Sequence, residues 1–382
     1  MNPLVIVGTG LAGYSLAREF RKLDATTPLL LLSRDGGEYY SKPMLSNALA
    51  QGMSPAQLAS ADAERMAAQL KATIRTHAEV AAIDTTARTL EVNGTPVAYS
   101  RLVLALGAQP LALSAAGDGL ADVLTVNSLA DYARYHAAVT RAGRVAVIGP
   151  GLIGCEFAND LRGSGREVTV IGPDAAPLGR LLPPRAGAAF RLAFEAAGIG
   201  WRLGTTAQRI ARTGDGYALT LADGAELTAD LVFSAIGLRP NTALAAAAGL
   251  QVRRGIVTDR YLRTSADDVY ALGDCAEVDG LVLPYVMPIM HAARALARTL
   301  HGEATRVTYP AMPVLVKTPA HPVVVAPPPA GVAGDWQEEV VGSGVKALFL
   351  AADGGVRGFV LTGSEAVTER QRLTALLPPL LT

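Results

Sequence analysis

Two glycine runs carry the plainest chemistry in this sequence. Gly8, Gly10 and Gly13 form one Gly-x-Gly-x-x-Gly, with Thr9, Leu11 and Ala12 between them. Gly149, Gly151 and Gly154 form another, with Leu152 and Ile153 ahead of its last glycine. In such a run the first glycine takes a tight turn and the second lets the backbone approach a pyrophosphate. The third packs helix on strand, and the first amides of that helix hold the anion. A single run is weak. Here each follows a short apolar strand and precedes an amphipathic helix-length stretch and a second apolar strand, PLLLLSRD or EVTVIGPD, so both complete a βαβ unit. Two Rossmann-like dinucleotide-binding domains of α/β class are expected.

Other residues of reactive type stand alone. Asp274 closes the strand-like stretch TSADDVYALGDCA. A carboxylate there accepts strongly from a sugar hydroxyl, although aspartate also serves as a helix N-cap. Lys317 is an isolated charge in the apolar run Met312–Val325, and such lysines usually snorkel to solvent. Cys155 and Cys275 lie far apart, which excludes a CxxC pair, a disulfide framework and a cysteine-rich metal site, and leaves them as small packing residues. His291, His301 and His321 show no metal-ligand spacing, and no metal is expected. The two second strands end in Ser33-Arg34-Asp35 and Gly172-Pro173-Asp174, without the usual terminal acid for an adenosine ribose. Ser33 and Arg34 can still bond the adenosine half of a dinucleotide. On the other side no basic residue stands directly at the strand end to take a 2′-phosphate, so NADH is expected. Arg180, a few residues on, keeps NADPH open.

The elements that must position these groups fill 382 residues, too many for one compact core. Arg101–Gly107 and Asp230–Gly237 both read as a buried strand ending in glycine, and Pro284–His301 as an alanine- and leucine-rich helix. After about residue 310, prolines interrupt short valine-rich runs, which suggests a small α+β C-terminal domain. The 34 basic and 34 acidic residues cancel, which argues against nucleic acid as a partner. Mean hydropathy is positive, yet no apolar run nears the roughly 18 residues of a spanning helix. Met1 leads directly into the first strand without a charged, cleavable segment, so a soluble cytoplasmic protein with no membrane insertion is expected.

Together the two glycine units, the two strand-then-glycine segments and Leu272-Gly273-Asp274 resemble the flavoprotein reductases with two dinucleotide-binding domains. Tyr40–Ser46 (YSKPMLS), Gly154–Leu161 (GCEFANDL), Val316–Pro319 (VKTP) and the proline-rich run after it are similar to the bacterial rubredoxin reductases in particular. That resemblance implies a discontinuous FAD domain, residues 1–110 and 240–310, with a NAD(P)H domain, 111–239, inserted, and a C-terminal domain, 311–382, over the flavin face. It implies that the first glycine run holds FAD and the second the nicotinamide cofactor. Val80, Val286 and Gly237 join the cofactor-binding residues, and Asp274 bonds the ribityl chain. It also implies an ion pair between Lys42 and Glu156 beside the flavin, with Lys317 facing the flavin ring from the C-terminal domain. Hydride would pass from NAD(P)H to FAD, and electrons would leave singly to rubredoxin. The alternative acceptor is ferredoxin, as in the reductase component of an oxygenase. A disulfide reductase or cysteine-based oxidase is disfavoured, because the loop where its cysteine would fall reads Ser41-Lys42-Pro43-Met44. A flavin-binding protein without turnover is disfavoured by the intact second glycine run. A flavin monooxygenase is disfavoured by the subfamily likeness.

Overall fold

The computed structural model describes residues 2–382. Strand β1 (Leu4–Val7) is buried throughout and leads through the first glycine turn into helix α1 (Leu11–Leu23). The helix buries Ala12, Gly13, Leu16, Ala17 and Phe20 on one side and carries Arg21 and Lys22 in its last turn, where cations suit the helix dipole. Strands β2 (Leu29–Leu32), β3 (Thr73–Arg75) and β4 (Arg101–Leu104) follow, and all pairings in this sheet are parallel. Strands covered on both faces need no polar alternation, which is why LVIV and LLLL are wholly apolar.

The second unit repeats the plan. Strand β5 (Arg144–Ile148), helix α2 (Leu152–Gly163), strand β6 (Glu167–Gly172), helix α3 (Pro184–Ala196), and strands β7 (Ile199–Leu203) and β8 (Leu231–Ser234) form a parallel sheet of order β7-β6-β5-β8. The chain then returns to the first sheet. Strand β9 (Val269–Ala271) pairs with β4, giving the order β9-β4-β1-β2-β3. Helix α4 (Val286–Leu300) follows, running beside α1, and Ser15 of α1 meets Met290 at 3.5 Å. Ala108–Pro110 and Leu238–Pro240 pair antiparallel where the chain leaves for the second sheet and comes back.

The last unit is an antiparallel sheet of β10 (Val314–Val316), β11 (Val323–Ala326), β12 (Gly334–Val341), β13 (Gly344–Ala351) and β14 (Val356–Thr362), in the order β10-β11-β14-β13-β12. A short helix, Arg370–Thr374, closes it. The unit does not keep a core to itself. Val316, Val323, Val325, Val345 and Val360 pack into the same apolar body as Phe157, Phe190 and Phe233 of the second unit and Leu45 and Leu58 of the first. Glu338 of β12 reinforces the junction by accepting from the amides of Arg185 and Ala186 at 3.2 and 2.8 Å, capping α3 from outside its own unit. Among the described residues no helix is long and apolar enough to cross a membrane.

Candidate functional site

The two glycine turns are built alike. Gly8 and Gly149 take φ of +115° and +117°, a region open to glycine alone at no cost. A Cβ on Gly13 would lie 1.9 Å from the Gly8 carbonyl oxygen, and one on Gly154 would lie 1.8 Å from that of Gly149. Each helix is therefore pressed against its own turn. Gly10 and Gly151 face open space, with no atom within 4 Å of where a Cβ would stand. Both are extended N-caps with no side chain bonded to the first-turn amides. The first-turn amides of both helices are thus left for a ligand, and the open space beside Gly10 and Gly151 makes each turn a cradle that a phosphate can approach.

Around the first cradle, Thr9 and Ser33 share a hydrogen bond of 2.5 Å, and the Ser33 hydroxyl also donates to Asp35 at 2.6 Å. Ser33 is buried and Arg34 exposed at the strand end. Val80 begins the strand Val80–Asp84 and rests on the core of the first unit. Gly273, at φ +81°, comes so near the first turn of α1 that a Cβ would meet that of Ala12 at 2.7 Å. Asp274 is thereby set beside this cradle. Burial pushes its carboxyl upward, while the Lys42 ammonium pulls it back. Half-buried and without a donor among the described residues, this carboxylate suits a ligand hydroxyl. These residues fit FAD. Val286 opens α4 and is exposed together with Tyr285 and Met287, an apolar run left without a protein cover.

At the second cradle the structure explains the missing acid. Gly172 ends β6 with the Pro150 ring over it: a Cβ there would lie 2.1 Å from Pro150 Cδ. No side chain can grow from the strand end while proline occupies the glycine run. Gly237, at φ +127°, accepts from the Leu111 amide at 3.0 Å. Ile153 is exposed beside Gly151, and Arg180 lies exposed further along the loop. The glycine turn and uncapped helix fit the pyrophosphate of NAD(H).

Between the cradles the expected ion pair is rearranged. Glu156 does not pair with Lys42. Its buried carboxylate accepts from Lys317 Nζ at 2.5 Å and from Ser46 Oγ at 2.6 Å through Oε2, and from the Lys317 amide at 2.9 Å through Oε1. Lys317 Nζ also donates to the Pro43 carbonyl and to Ser46 Oγ, each at 2.7 Å. Its three donors are spent within the protein, so it is a structural clasp rather than a free cation facing the flavin. The reason is topological. Glu156 lies on α2 and Lys317 directly after β10, and the shared apolar core presses the two together, leaving Lys42 outside the pair. No ion pair within 4 Å involves Lys42 among the described residues. Burial lowers its pKa below the usual lysine value, with Asp274 and then Asp131 opposing the shift. Lys42 is thus a cation of the site with acids nearby but no direct ion-pair partner among the described residues.

Residues 2–298 match the family described as pyridine nucleotide-disulphide oxidoreductase. The chain belongs to that family. The rest of this oxidoreductase, residues 306–377, matches a rubredoxin binding C-terminal domain. Similar proteins named rubredoxin-NAD(+) reductase occur in Acinetobacter baylyi, 50% identical over 100% of this chain and 99% of that protein, and in Alcanivorax borkumensis, 47% identical over 100% of both. Among solved structures, the ferredoxin reductase for the CYP199A2 system from Rhodopseudomonas palustris superposes with a TM-score of 0.89 at 28% identity, covering 99% of this chain and 96% of that one. Putidaredoxin reductase, in its covalent complex with putidaredoxin, gives 0.89 at 27%, covering 99% and 94%.

Despite the family's description, disulfide chemistry has no residues here. Both cysteines are free and buried, and burial pushes both thiols up, Cys275 to about 12. Sequence reasoning missed Ser46, Asn159 and Asp160. Ser46 lay inside YSKPMLS and the other two inside GCEFANDL. The available signal was the spacing of Glu156 and Asp160, two acids one helical turn apart on a helix whose first half is otherwise apolar.

Proposed function

We propose that this chain is an NADH-dependent, FAD-containing reductase that delivers electrons singly to rubredoxin. The observation that carries the reading is Lys317. It belongs to the segment that matches a rubredoxin binding domain, and its ammonium is bonded to Glu156 and Ser46 between the two glycine cradles. The partner-binding unit is therefore anchored on the floor of the site where electrons change hands. FAD, when bound, accepts hydride and gives up electrons one at a time. The chain's own groups supply the rest. The amides after Gly10 and Gly151 bind the two pyrophosphates, and Asp274 accepts from a ribityl hydroxyl. Lys42 holds positive charge beside the flavin, where it favours negative charge gained on reduction. The Glu156–Lys317–Ser46 clasp keeps that wall of the site rigid. NADH rather than NADPH is favoured because Gly172 and Pro173 offer no cation for a 2′-phosphate.

The test follows oxidation of NADH by the FAD-loaded protein with rubredoxin or ferredoxin as acceptor, each relayed to cytochrome c. Fast turnover with rubredoxin and NADH is expected. Fast turnover with ferredoxin alone would move the reading to the oxygenase reductases, and a preference for NADPH would refute the cofactor assignment.

A further inference from the structure

Helix α2 offers a second carboxylate that the proposed electron path does not use. Asp160 is 2% exposed and makes no ion pair within 4 Å among the described residues. Its two oxygens accept from successive backbone amides, Leu49 at 3.0 Å and Ala50 at 2.9 Å. Those amides belong to the turn after the 3₁₀ segment Lys42–Ser46. Its other local bonds, Gly52 to Leu49 and Met53 to Ala48, run from later amides to earlier carbonyls. The Leu49 and Ala50 amides thus depend on the carboxylate. Glu156 holds Ser46 from one turn earlier on the same helix, and Gly163 meets Ala50 one turn later, where a Cβ would stand 3.1 Å from the Ala50 methyl. Residues 156, 160 and 163 form one stripe at helical spacing, and it grips the segment Ser46–Ala50 along its length. Asn159, beside the stripe, accepts from the Ala320 amide at 3.0 Å. The helix that begins at the nicotinamide cradle is the part to which the Lys42 segment is fastened.

We infer that Asp160 is a positioning residue that fixes the Lys42 segment to α2 and so sets where the Lys42 ammonium stands. The inference rests on the proposed role of Lys42. A carboxylate is required because two adjacent N–H groups need two acceptor oxygens; an asparagine supplies one and confronts the other amide with an NH2 group. Burial raises the carboxyl's pKa, and the two amides offset part of that cost. The site tolerates the charge for what it holds in place.

The test compares the native chain with Asp160→Asn, Lys42→Ala and the double variant. In apoprotein, amine acylation followed by mass spectrometry reads the exposure of Lys42, and hydrogen exchange reads the Leu49 and Ala50 amides. Asp160→Asn should speed labelling of Lys42 by at least about threefold, with Lys317 unchanged, and speed exchange at both amides. In the FAD-loaded protein it should slow flavin reduction at saturating NADH roughly tenfold, with KM for NADH little altered. The double variant should be no slower than Lys42→Ala alone, because both changes act through one group. Gly163→Ala gives a variant whose helix is favoured by the added methyl while Ala50 is displaced; it should speed Lys42 labelling in the same direction. Unchanged labelling in Asp160→Asn, or a double variant that multiplies the two losses, would overturn the inference. If Lys42→Ala leaves flavin reduction intact, the role of Lys42 fails, and the labelling and exchange rates alone judge the hold of Asp160 on the segment.

Discussion

Replacing Lys317 with methionine keeps the length and apolar stem of the side chain and removes only its ammonium. Three acceptors lose the ammonium: Glu156 Oε2 at 2.5 Å, which keeps only the Ser46 hydroxyl, and Ser46 Oγ and the Pro43 carbonyl at 2.7 Å each. The Glu156 side chain is 1% exposed and cannot recover water in exchange. An uncompensated buried charge of this kind costs about 3–5 kcal/mol, whereas an exposed ion pair contributes below about 1 kcal/mol. Lys317→Met should therefore be severe, and Glu156→Gln should restore most of the loss when added to it. The glutamine keeps an acceptor for the backbone amide of residue 317 and presents an NH2 group to Ser46. The double variant is expected within about 2 kcal/mol of the native chain.

The two tryptophans make the assay selective. Trp201 lies in β7, and Trp336 lies in β12, where it packs edge-on against Phe349. Urea unfolding of apoprotein, followed at each indole in turn by replacing the other with phenylalanine, reads the second and last units separately. In Lys317→Met the Trp336 transition should fall first, since the last unit is then held only by Glu338, the backbone amides of residues 317 and 320 on α2, and the shared apolar core. A loss below about 1 kcal/mol would mean that the clasp behaves as a solvated pair. A double variant that costs the sum of the two single changes would mean that the residues are not coupled. Either result refutes the reasoning.

Lys42→Met should stabilise apoprotein at neutral pH. Burial sets the folded pKa of Lys42 below the ordinary 10.5, so between those values the unfolded chain holds a proton that the folded chain has shed. Native stability then rises with pH through that window and carries the full penalty below it. Melting temperatures against pH should show this slope in the native chain and not in the variant; a variant less stable at every pH contradicts the assignment. Gly10→Ala should fold normally, because its Cβ enters open space, yet bind FAD at least about tenfold more weakly by equilibrium titration. Gly13→Ala, with a Cβ 1.9 Å from the Gly8 carbonyl oxygen, should lose stability as well as flavin. Gly172→Asp should destabilise the protein by collision with Pro150. Adding Pro150→Ala should relieve it and sharpen the preference for NADH over NADPH in kcat/KM.

What could be read in advance was whatever a local pattern determines. The glycine runs, the apolar strands around them and Asp274 after its short strand each depend on neighbours within a few residues, and the structure places them as their types require. The partner of Glu156 was not of this kind. Lys42 and Lys317 are both lysines, both in segments of the right likeness, and nothing local decides which of them a carboxylate on α2 will meet. That choice is made by Val316, Val323 and Val325, which bury themselves against Phe157 and Phe190 and carry Lys317 in with them. The lone lysine in an apolar stretch was expected at the surface or against the flavin, and it is instead satisfied within the protein. Gly172 shows the same limit. The missing acid was visible, but its cause lies in a proline from the other end of a βαβ unit.

The arrangement also explains why the two lysines should differ in chemistry. A cation that is to act on a bound group must not be neutralised by the protein, and a cation that is to hold units together must be. Lys317, with a carboxylate, a hydroxyl and a carbonyl around it, satisfies the second condition and fails the first. Lys42, half-buried with only the more distant Asp274 and Asp131 to oppose its desolvation, satisfies the first. Its segment therefore cannot be held through the lysine itself and has to be fastened elsewhere. Ser46 on Glu156, and the Leu49 and Ala50 amides on Asp160, are fastenings of that kind. Both acids lie on the helix that starts at the second glycine turn, so that turn and the fastening of the Lys42 segment share one element.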